Sequence, residues 1–386
     1  MEKSIEFDFL VQCLRLDPGP VETPFFAAGA LDWEKWQKLL IAHGVYPQVY
    51  RRIKANSPDV IPGRVLDDLH RGFLNQTGLN MRLCRESLQL SQGFEMAGIQ
   101  ALPFKGPVLS LQAYDDCFYR FYRDLDLLVS WADFPRLYEL MVDRGYRPVL
   151  DLKKSQTTAW ARAGQEFVFL KGDMIMDVHF GLLRGLRWQG FADKTWGEYT
   201  RLPLLDGEVP SFSLPGAALS VCINGMRDGW NRMGQLLDLA ALVKNPRLDR
   251  GALASLAREM GVATGLRVGL LLAREFLGLA IPGDLDVPPR LGSRAERLTG
   301  LCAGRLRSGT VRIDKSFSRW FFIRSLDRFP VVARSLRHEL TAPKASDARL
   351  VSLPGKLFFL YGFLRPWLLL GRGLKRLFSR KVSPCR

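Results

Sequence analysis

The sequence lacks the features of a membrane-spanning or secreted protein. No run of about 18 uncharged apolar residues occurs in its 386 residues, so no segment is obliged to cross a bilayer. The first ten residues, MEKSIEFDFL, carry acidic side chains where a secretory signal has a basic stretch and then an apolar core. Repeats and low-complexity tracts are absent as well. We therefore expect a globular protein with two or three domains.

Cysteine and histidine are scarce, and they do not cluster. The six cysteines form no CxxC pair, and the four histidines lie apart from them. This scatter argues against a zinc site or a disulfide framework, because both need ligands or partners at characteristic spacings. We therefore expect a reducing, cytoplasmic location.

Acidic residues are rare in one part of the chain only. The formal net charge is +16, yet residues 301–386 contain 19 Lys and Arg against 4 Asp and Glu. The other 300 residues contain 36 against 35 and are almost neutral. Such asymmetry predicts a basic surface that faces a polyanion, either anionic lipid or nucleic acid.

The final segment, LPGKLFFLYGFLRPWLLLGRGLKRLFSRK, has the composition of a basic amphipathic element. Its aromatic residues cluster with Leu and do not alternate with the basic residues, as a single-strand-binding groove would require. This favours peripheral association with an anionic membrane surface over nucleic-acid binding. The membrane would be the inner membrane. The alternative is a helix that packs on the protein itself.

Periodicity divides the chain into four parts. Residues 1–99 and 206–300 show apolar positions three and four apart, which is typical of helices. Residues 100–205 contain short apolar runs bounded by turns, which predict strands. We expect one strand at about 124–129, a helix at 132–144, and two strands joined by a Lys-Gly-Asp hairpin turn in QEFVFLKGDMIMDVHFGL. The basic segment 301–386 completes the chain. The predicted fold class is α+β, with a small mixed sheet and its flanking helices between N-terminal and C-terminal helical regions.

Two carboxylates interrupt an apolar strand in FYRDLDLLVS, residues 121–130. Asp124 and Asp126 are two residues apart, so they point to the same face of the strand and repel each other. A divalent cation would offset that charge, and Mg²⁺ prefers carboxylate and phosphate oxygens. A third acid, Asp177, interrupts the apolar strand MIMDVHF. Three acids on two strands predict a two-metal site for phosphoryl transfer.

These residues also have purely structural interpretations. The aspartate pair can be neutralised by Arg120, by Arg123 or by backbone amides, and Asp177 can be an ordinary salt-bridged acid. His179 shares a strand face with Asp177 and either orients that acid, contacts substrate or is a buried core residue. Asp238, on an apolar helix, is expected to be buried with a partner such as an arginine.

A turn upstream of the acids supplies candidate phosphate contacts. Lys105, Gly106 and Pro107 follow the strand-like ALPF, and Pro107 suits the first turn of a helix. The N–H groups of such a turn and helix N-terminus attract phosphate, and Lys105 adds a positive charge.

In this order the residues resemble the DNA polymerase beta nucleotidyltransferase superfamily, and within it a bacterial family of uncharacterised nucleotidyltransferase-like proteins. That family has a Lys-Gly turn, a Tyr, an Arg, Asp-Ile-Asp-Leu-Leu-Val, a Gly-Tyr and Asp-x-His. The corresponding residues here are Lys105-Gly106, Tyr114, Arg120, Asp124-Leu125-Asp126-Leu127-Leu128-Val129, Gly145-Tyr146 and Asp177-Val178-His179. The resemblance extends to DWEKWQKLLIAHGV on the N-terminal side and to DGWNRMGQLLDLAALV and LFFLYGFLRP on the C-terminal side.

The resemblance implies that residues 100–205 are a nucleotidyltransferase core. By it, the catalytic acids are Asp124, Asp126 and Asp177, and the same three would hold Mg²⁺, with Mn²⁺ as the alternative ion. The implied nucleotide contacts are Lys105, Gly106 and Arg120, and His179 is a candidate for contacting substrate or for supporting the acids.

The implied reaction moves a nucleoside monophosphate from an NTP, such as ATP, to an acceptor and releases pyrophosphate. The sequence does not specify the acceptor, which can be a small molecule, a glycan, RNA or a protein. The alternative from another class is a catalytically inactive adaptor or binding protein of this fold at the membrane surface.

Overall fold

The structure is a computed structural model that describes residues 4–16, 31–56, 58–163, 166–285, 289–308 and 314–380. The chain divides into two units, each built from three separate stretches of sequence. Unit 1 comprises Met1–Gln92, Leu102–Leu125 and Lys194–Val331. Unit 2 comprises Gly93–Ala101, Asp126–Asp193 and Val332–Arg386. The two units are discontinuous in sequence, whereas the four parts predicted from periodicity are consecutive. The four-part division stays a prediction.

Helices hold most of the described residues. In chain order they are α1 (Ile5–Leu14), α2 (Trp33–His43), α3 (Tyr46–Asn56), α4 (Gly63–Met96), α5 (Gly106–Tyr114), α6 (Phe134–Asp143), α7 (Lys154–Ala163), α8 (Leu214–Asp228), α9 (Met233–Lys244), α10 (Arg250–Glu259), α11 (Ala263–Leu277), α12 (Pro289–Arg307), α13 (Lys315–Arg324), α14 (Phe329–Thr341), α15 (Ala345–Ala348) and α16 (Tyr361–Arg380). Short 3-10 helices span Pro58–Val60, Lys194–Trp196, Gly283–Leu285 and Gly355–Leu360.

Two sheets accompany the helices. The larger is a mixed sheet in the order β1-β2-β5-β4-β3, with strands β1 (Ala101–Pro103), β2 (Asp124–Val129), β3 (Arg147–Pro148), β4 (Glu166–Lys171) and β5 (Met174–His179). The smaller is an antiparallel pair, β6 (Tyr199–Leu204) and β7 (Gly207–Phe212). The boundary between the two units falls within β1 and within β2.

Aromatic packing fixes the core of unit 2 against its sheet. Phe134, the first residue of α6, lies with its ring centroid 5.3 Å from that of Phe167 on β4 and 4.9 Å from that of Phe180, just after β5. All three rings are buried, and their edge-to-face geometry is the favoured one for aromatic pairs. Helix α6 therefore anchors the strand that carries the candidate acid Asp177.

The structure contains the strands and helices discussed next, which the sequence predicted, and also β3, α7 and the β6–β7 hairpin, which it did not. The strand expected at about 124–129 is β2, and the expected hairpin with a Lys-Gly-Asp turn is the β4–β5 pair, where Gly172 has a φ of 59°. The helix expected at 132–144 spans Phe134–Asp143. The β6–β7 hairpin was not predicted, because Pro203 and Pro210 interrupt its strand pattern. The α+β fold class is confirmed.

Candidate functional site

Asp126 occupies a buried position on a central strand. Its exposed fraction is 5%, and its neighbours Leu125 and Leu127 are equally buried. Strand β2 lies between β1 and β5 in the sheet, which explains why apolar side chains fill it almost without interruption. A carboxylate in such a place is unfavourable unless its charge is offset. Asp126 is therefore not an ordinary surface acid.

Strand β5 carries two further polar side chains toward the same region. Asp177 is half-buried and His179 is buried, and their spacing of two residues puts both on one face of the strand. The antiparallel hairpin fixes their register, with Asp177 opposite Val168 and His179 opposite Glu166. Because β5 is the neighbour of β2 in the sheet, these side chains reach Asp126.

Asp126, Asp177 and His179 form one polar group. Each offers a ligand atom, and these atoms all lie within 4.8 Å of one another. Nε2 of His179 is 2.8 Å from Oδ1 of Asp126, so an Nε2 proton is donated to that carboxylate. Two carboxylates and an imidazole suit a divalent cation, because oxygen ligands favour Mg²⁺ or Mn²⁺ and the nitrogen is compatible with a transition metal. The group therefore fits a metal ion, although its donors do not by themselves specify which one.

Asp124 lies two residues before Asp126 on the same strand. It is the first residue of β2 and is half-buried. It belongs to unit 1, near the end of the stretch Leu102–Leu125. The three residues whose ligand atoms come together are the ones named above, and Asp124 is not among them. Its assignment as a metal ligand stays a prediction from the D-x-D spacing and the resemblance.

The Lys105-Gly106 turn forms the start of α5, as the sequence predicted. Gly106 has a φ of 54°, in the left-handed region, and a Cβ there would lie 3.4 Å from the backbone oxygen of Asp124. Glycine is therefore favoured by the backbone conformation of the turn, whereas a Cβ at that distance would make only an ordinary contact. The side chain of Lys105 lies with its Nζ 5.2 Å from the centroid of the Phe104 ring. The roles of both residues in binding nucleotide stay predictions.

Arg120 belongs to a separate polar cluster in unit 1. Its Nε donates to both carboxylate oxygens of Asp238, at 2.9 Å each, and its Nη1 donates to the backbone oxygen of Gly106 at 3.4 Å. The hydroxyl of Tyr114 donates to Oδ1 of the same aspartate at 2.9 Å. The expectation that Asp238 is buried with an arginine is confirmed. A phosphate contact by Arg120 stays a prediction.

Burial and charge together shift the pKa values in this cluster. Burial raises the pKa of Tyr114 well above its usual value, and the Asp238 carboxylate raises it further. Burial lowers the pKa of Arg120, but the same carboxylate outweighs that effect, so the pKa ends above its usual value. Arg120 is therefore a permanent cation, held by a carboxylate whose own exposed fraction is 4%.

The sequence and the geometry give His179 different importance in the site. The sequence placed Asp124, Asp126 and Asp177 at the centre and His179 at the margin. In the structure His179 contacts Asp126 directly, whereas the spacing along the chain gave no sign of a contact between residues 53 positions apart. The available signal was the Asp-x-His spacing itself, which puts His179 on the face of Asp177.

Comparison with known families agrees with this geometry. The model of a family described as uncharacterised nucleotidyltransferase matches residues 29–278, which is 250 of the 386 residues. The chain therefore belongs to this nucleotidyltransferase family. No curated protein and no solved structure matches the chain.

Proposed function

We propose that this protein is a metal-dependent nucleotidyltransferase. It would move a nucleoside monophosphate from an NTP, with ATP as the first candidate, to an acceptor nucleophile. The acceptor oxygen attacks the α-phosphorus, the bond from that phosphorus to the bridging oxygen breaks, and pyrophosphate leaves. The observation that carries the proposal is the group of Asp126, Asp177 and His179 on adjacent strands, in a chain of a nucleotidyltransferase family.

The acids would hold Mg²⁺, or Mn²⁺, at the site. A bound divalent ion supplies charge stabilisation for the phosphates and lowers the pKa of an attacking oxygen. We assign Asp126 and Asp124 to holding the ions and Asp177 to the acceptor side, where its carboxylate takes up the proton of the attacking hydroxyl. The 2.8 Å contact to His179 supports a further role, in which the imidazole fixes the orientation of Asp126.

The start of α5 would receive the triphosphate. Its free backbone N–H groups and the positive end of the helix dipole favour an anion. Lys105, at the position before the helix, adds a cation that needs no fixed geometry. Arg120 would act through Gly106, whose backbone oxygen it contacts, and would thereby hold this turn in place.

Isotope position tests the reaction class. The purified protein is incubated with cell extract and with NTP labelled at either the α- or the γ-phosphate. We expect α-label in the product and γ-label in pyrophosphate, both dependent on Mg²⁺ or Mn²⁺. Transfer of the γ-label instead would identify a kinase and overturn the proposal. The labelled product also reports whether the acceptor is a small molecule, a glycan, RNA or a protein.

Substitution of Asp126 tests the site. We expect Asp126→Ala to abolish nucleotide turnover, and Asp126→Asn, which keeps the shape of the side chain, to do the same. Circular dichroism and thermal melting confirm that the variants are folded. Unchanged turnover in the folded Asp126→Asn variant would overturn the proposed site.

A non-catalytic adaptor is the second candidate. One observation favours it: the 2.8 Å contact with Nε2 of His179 gives the buried Asp126 a hydrogen-bonding partner without any metal ion. Calorimetry separates the two candidates, because the enzyme must bind NTP in a metal-dependent way and the adaptor need not. Metal-dependent binding that is lost in Asp126→Asn excludes the purely structural role.

We also propose a cytoplasmic site of action. Five cysteines of the described residues are free and buried, namely Cys13, Cys84, Cys117, Cys222 and Cys302. Free buried thiols suit a reducing compartment. Fractionation of cells that express the protein, with antibody detection, tests the location, and recovery from an oxidising compartment would contradict it.

A further inference from the structure

An exposed row of large apolar side chains runs along the C-terminal helical segment of unit 2. We call it the apolar stripe, and its members are Phe359, Phe363, Trp367 and Leu370. Their exposed fractions are 64, 70, 74 and 59%, respectively. The last three lie on α16 at spacings of four and three residues, which places them on one face of the helix, and Phe359 lies one turn earlier, in the preceding 3-10 helix.

The opposite face of the same segment is the one that packs against unit 2. Phe358, Tyr361 and Arg365 are almost completely buried. The ring of Phe358 lies edge-on to that of Trp160, with 6.5 Å between centroids. Nη1 of Arg365 lies 3.4 Å from Oδ2 of Asp347. Internal packing therefore explains one face of the segment and leaves the apolar stripe unexplained.

The sequence that contains the stripe carries charge of one sign only. Residues 348–386 contain nine Lys and Arg and no Asp or Glu, and six of the nine follow the stripe, within residues 371–386. An exposed apolar row next to such a cationic sequence combines the two terms that hold an interfacial helix on an anionic bilayer. Among the described residues no helix is long and apolar enough to cross a membrane, so the segment would lie on the surface.

We propose that the apolar stripe docks this protein on an anionic lipid surface. The four apolar side chains enter the boundary between headgroups and acyl chains, where Trp and Phe are favoured, and the basic residues contact lipid phosphates. A second copy of the chain is disfavoured as the occupant, because a symmetric contact brings the same cationic segments together. Single-stranded nucleic acid is disfavoured because no cation interrupts the four side chains of the stripe.

Vesicle binding of the full chain tests the proposal. The protein is sedimented with vesicles of phosphatidylcholine alone and with vesicles that also contain phosphatidylglycerol, at low and high salt. We expect binding to the anionic vesicles and weaker binding at high salt, since exposed charges are screened. The measurement uses no NTP, so it is independent of the proposed activity.

A matched pair of variants assigns the binding to the stripe. Phe363→Ser combined with Trp367→Ser removes two aromatic side chains, and we expect roughly 100-fold weaker binding or more. Phe329→Ser, at an 81% exposed phenylalanine that begins α14, is the control and should bind like the wild type. Lys375→Gln combined with Arg376→Gln should weaken binding to anionic vesicles about 10- to 30-fold.

Four outcomes would overturn the proposal. The first is a wild type that fails to bind the anionic vesicles, and the second is a folded Phe363→Ser/Trp367→Ser variant that binds as well as the wild type. The third is a dimer in the absence of lipid that this double variant dissociates, which would assign the stripe to a second copy. The last is single-stranded RNA that binds in place of the vesicles and depends on the same two residues.

Discussion

Two polar clusters of this protein differ in how the negative charge of a buried carboxylate is compensated. In the Arg120 cluster of unit 1, one carboxylate meets a guanidinium and a phenol hydroxyl. In unit 2, Asp126, Asp177 and His179 form what we call the metal group, after its proposed role. Its two carboxylates lie beside one imidazole, which carries a charge only when it is protonated. The first cluster carries its own cation as a permanent part of the fold, whereas the second has a donor set suited to a cation from solution.

The difference separates stability from function. A carboxylate with a fixed guanidinium contributes as long as both partners remain, and loss of either leaves a buried charge alone. A carboxylate pair that repels itself does not stabilise the fold by itself, but it gives affinity for a metal ion. Substitutions should therefore lower activity in the metal group and stability in the Arg120 cluster.

The largest effect is expected for Asp177→Asn. This variant keeps the shape of the side chain and removes one of the two carboxylate charges, so we expect nucleotidyl transfer to fall by about 10³-fold. The free energy of unfolding should change little, because the carboxylate repulsion is relieved. Pyrophosphate release and urea denaturation are the two measurements.

Asp173→Asn is its matched control. Asp173 lies in the turn of the same β4–β5 hairpin and is exposed. We expect full activity from it. Equal losses in both variants would show that the hairpin, and not the metal group, governs the rate.

The next effect is on stability, in the other cluster. Asp238→Asn leaves Arg120, whose side chain is only 15% exposed, without its carboxylate, so we expect a loss of about 3–5 kcal/mol in the free energy of unfolding. The double variant Asp238→Leu/Arg120→Met removes both charges and should recover most of that loss. A single variant within about 1 kcal/mol of the wild type would contradict this account.

Metal addition should distinguish the two clusters by a change in stability of intermediate size. A cation that binds only the folded state stabilises it by about 2.7 kcal/mol at a concentration 100 times its Kd. We expect Mn²⁺ or Mg²⁺ to raise the melting temperature of the wild type and of Tyr114→Phe, but not that of Asp126→Asn. A rise in Asp126→Asn equal to that in the wild type would place the ion elsewhere.

The smallest effect is expected for Tyr114→Phe. It removes the hydroxyl that donates to Asp238 and leaves the ion pair, so we expect a loss of about 1 kcal/mol in urea denaturation. Tyr119→Phe is the control, because its ring stacks on that of Tyr114 with 4.5 Å between the centroids, whereas the hydroxyl that donates to Asp238 is that of Tyr114. A loss in Tyr119→Phe that matches the one in Tyr114→Phe would assign the effect to packing.

Local patterns were enough to predict much of the fold. The apolar run in FYRDLDLLVS predicted a strand at about 124–129, where β2 spans Asp124–Val129, and the Lys-Gly-Asp turn predicted the hairpin that carries Asp177. Strand periodicity and turn residues act within a few positions, which is why they can be read from the chain. The β6–β7 hairpin was missed because its prolines obscure the same local signal.

Contacts between residues far apart in the chain were not predicted from local patterns. The sequence predicted that Asp238 has a buried partner, but not that Arg120, 118 positions away, provides it. It placed His179 beside Asp177, but not within 2.8 Å of Asp126. The order of strands in the sheet decides that second contact, and no local pattern encodes strand order.

The sequence by itself determined which residues can do chemistry: the acids in apolar strands, the glycine at the start of α5 and the basic C-terminal segment. The tertiary structure decided which of them meet. It paired Arg120 with Asp238, brought His179 to Asp126 and left Phe363, Trp367 and Leu370 of α16 exposed. The physical reason is that residue type and spacing fix local conformation, whereas contacts between distant side chains depend on how the elements pack.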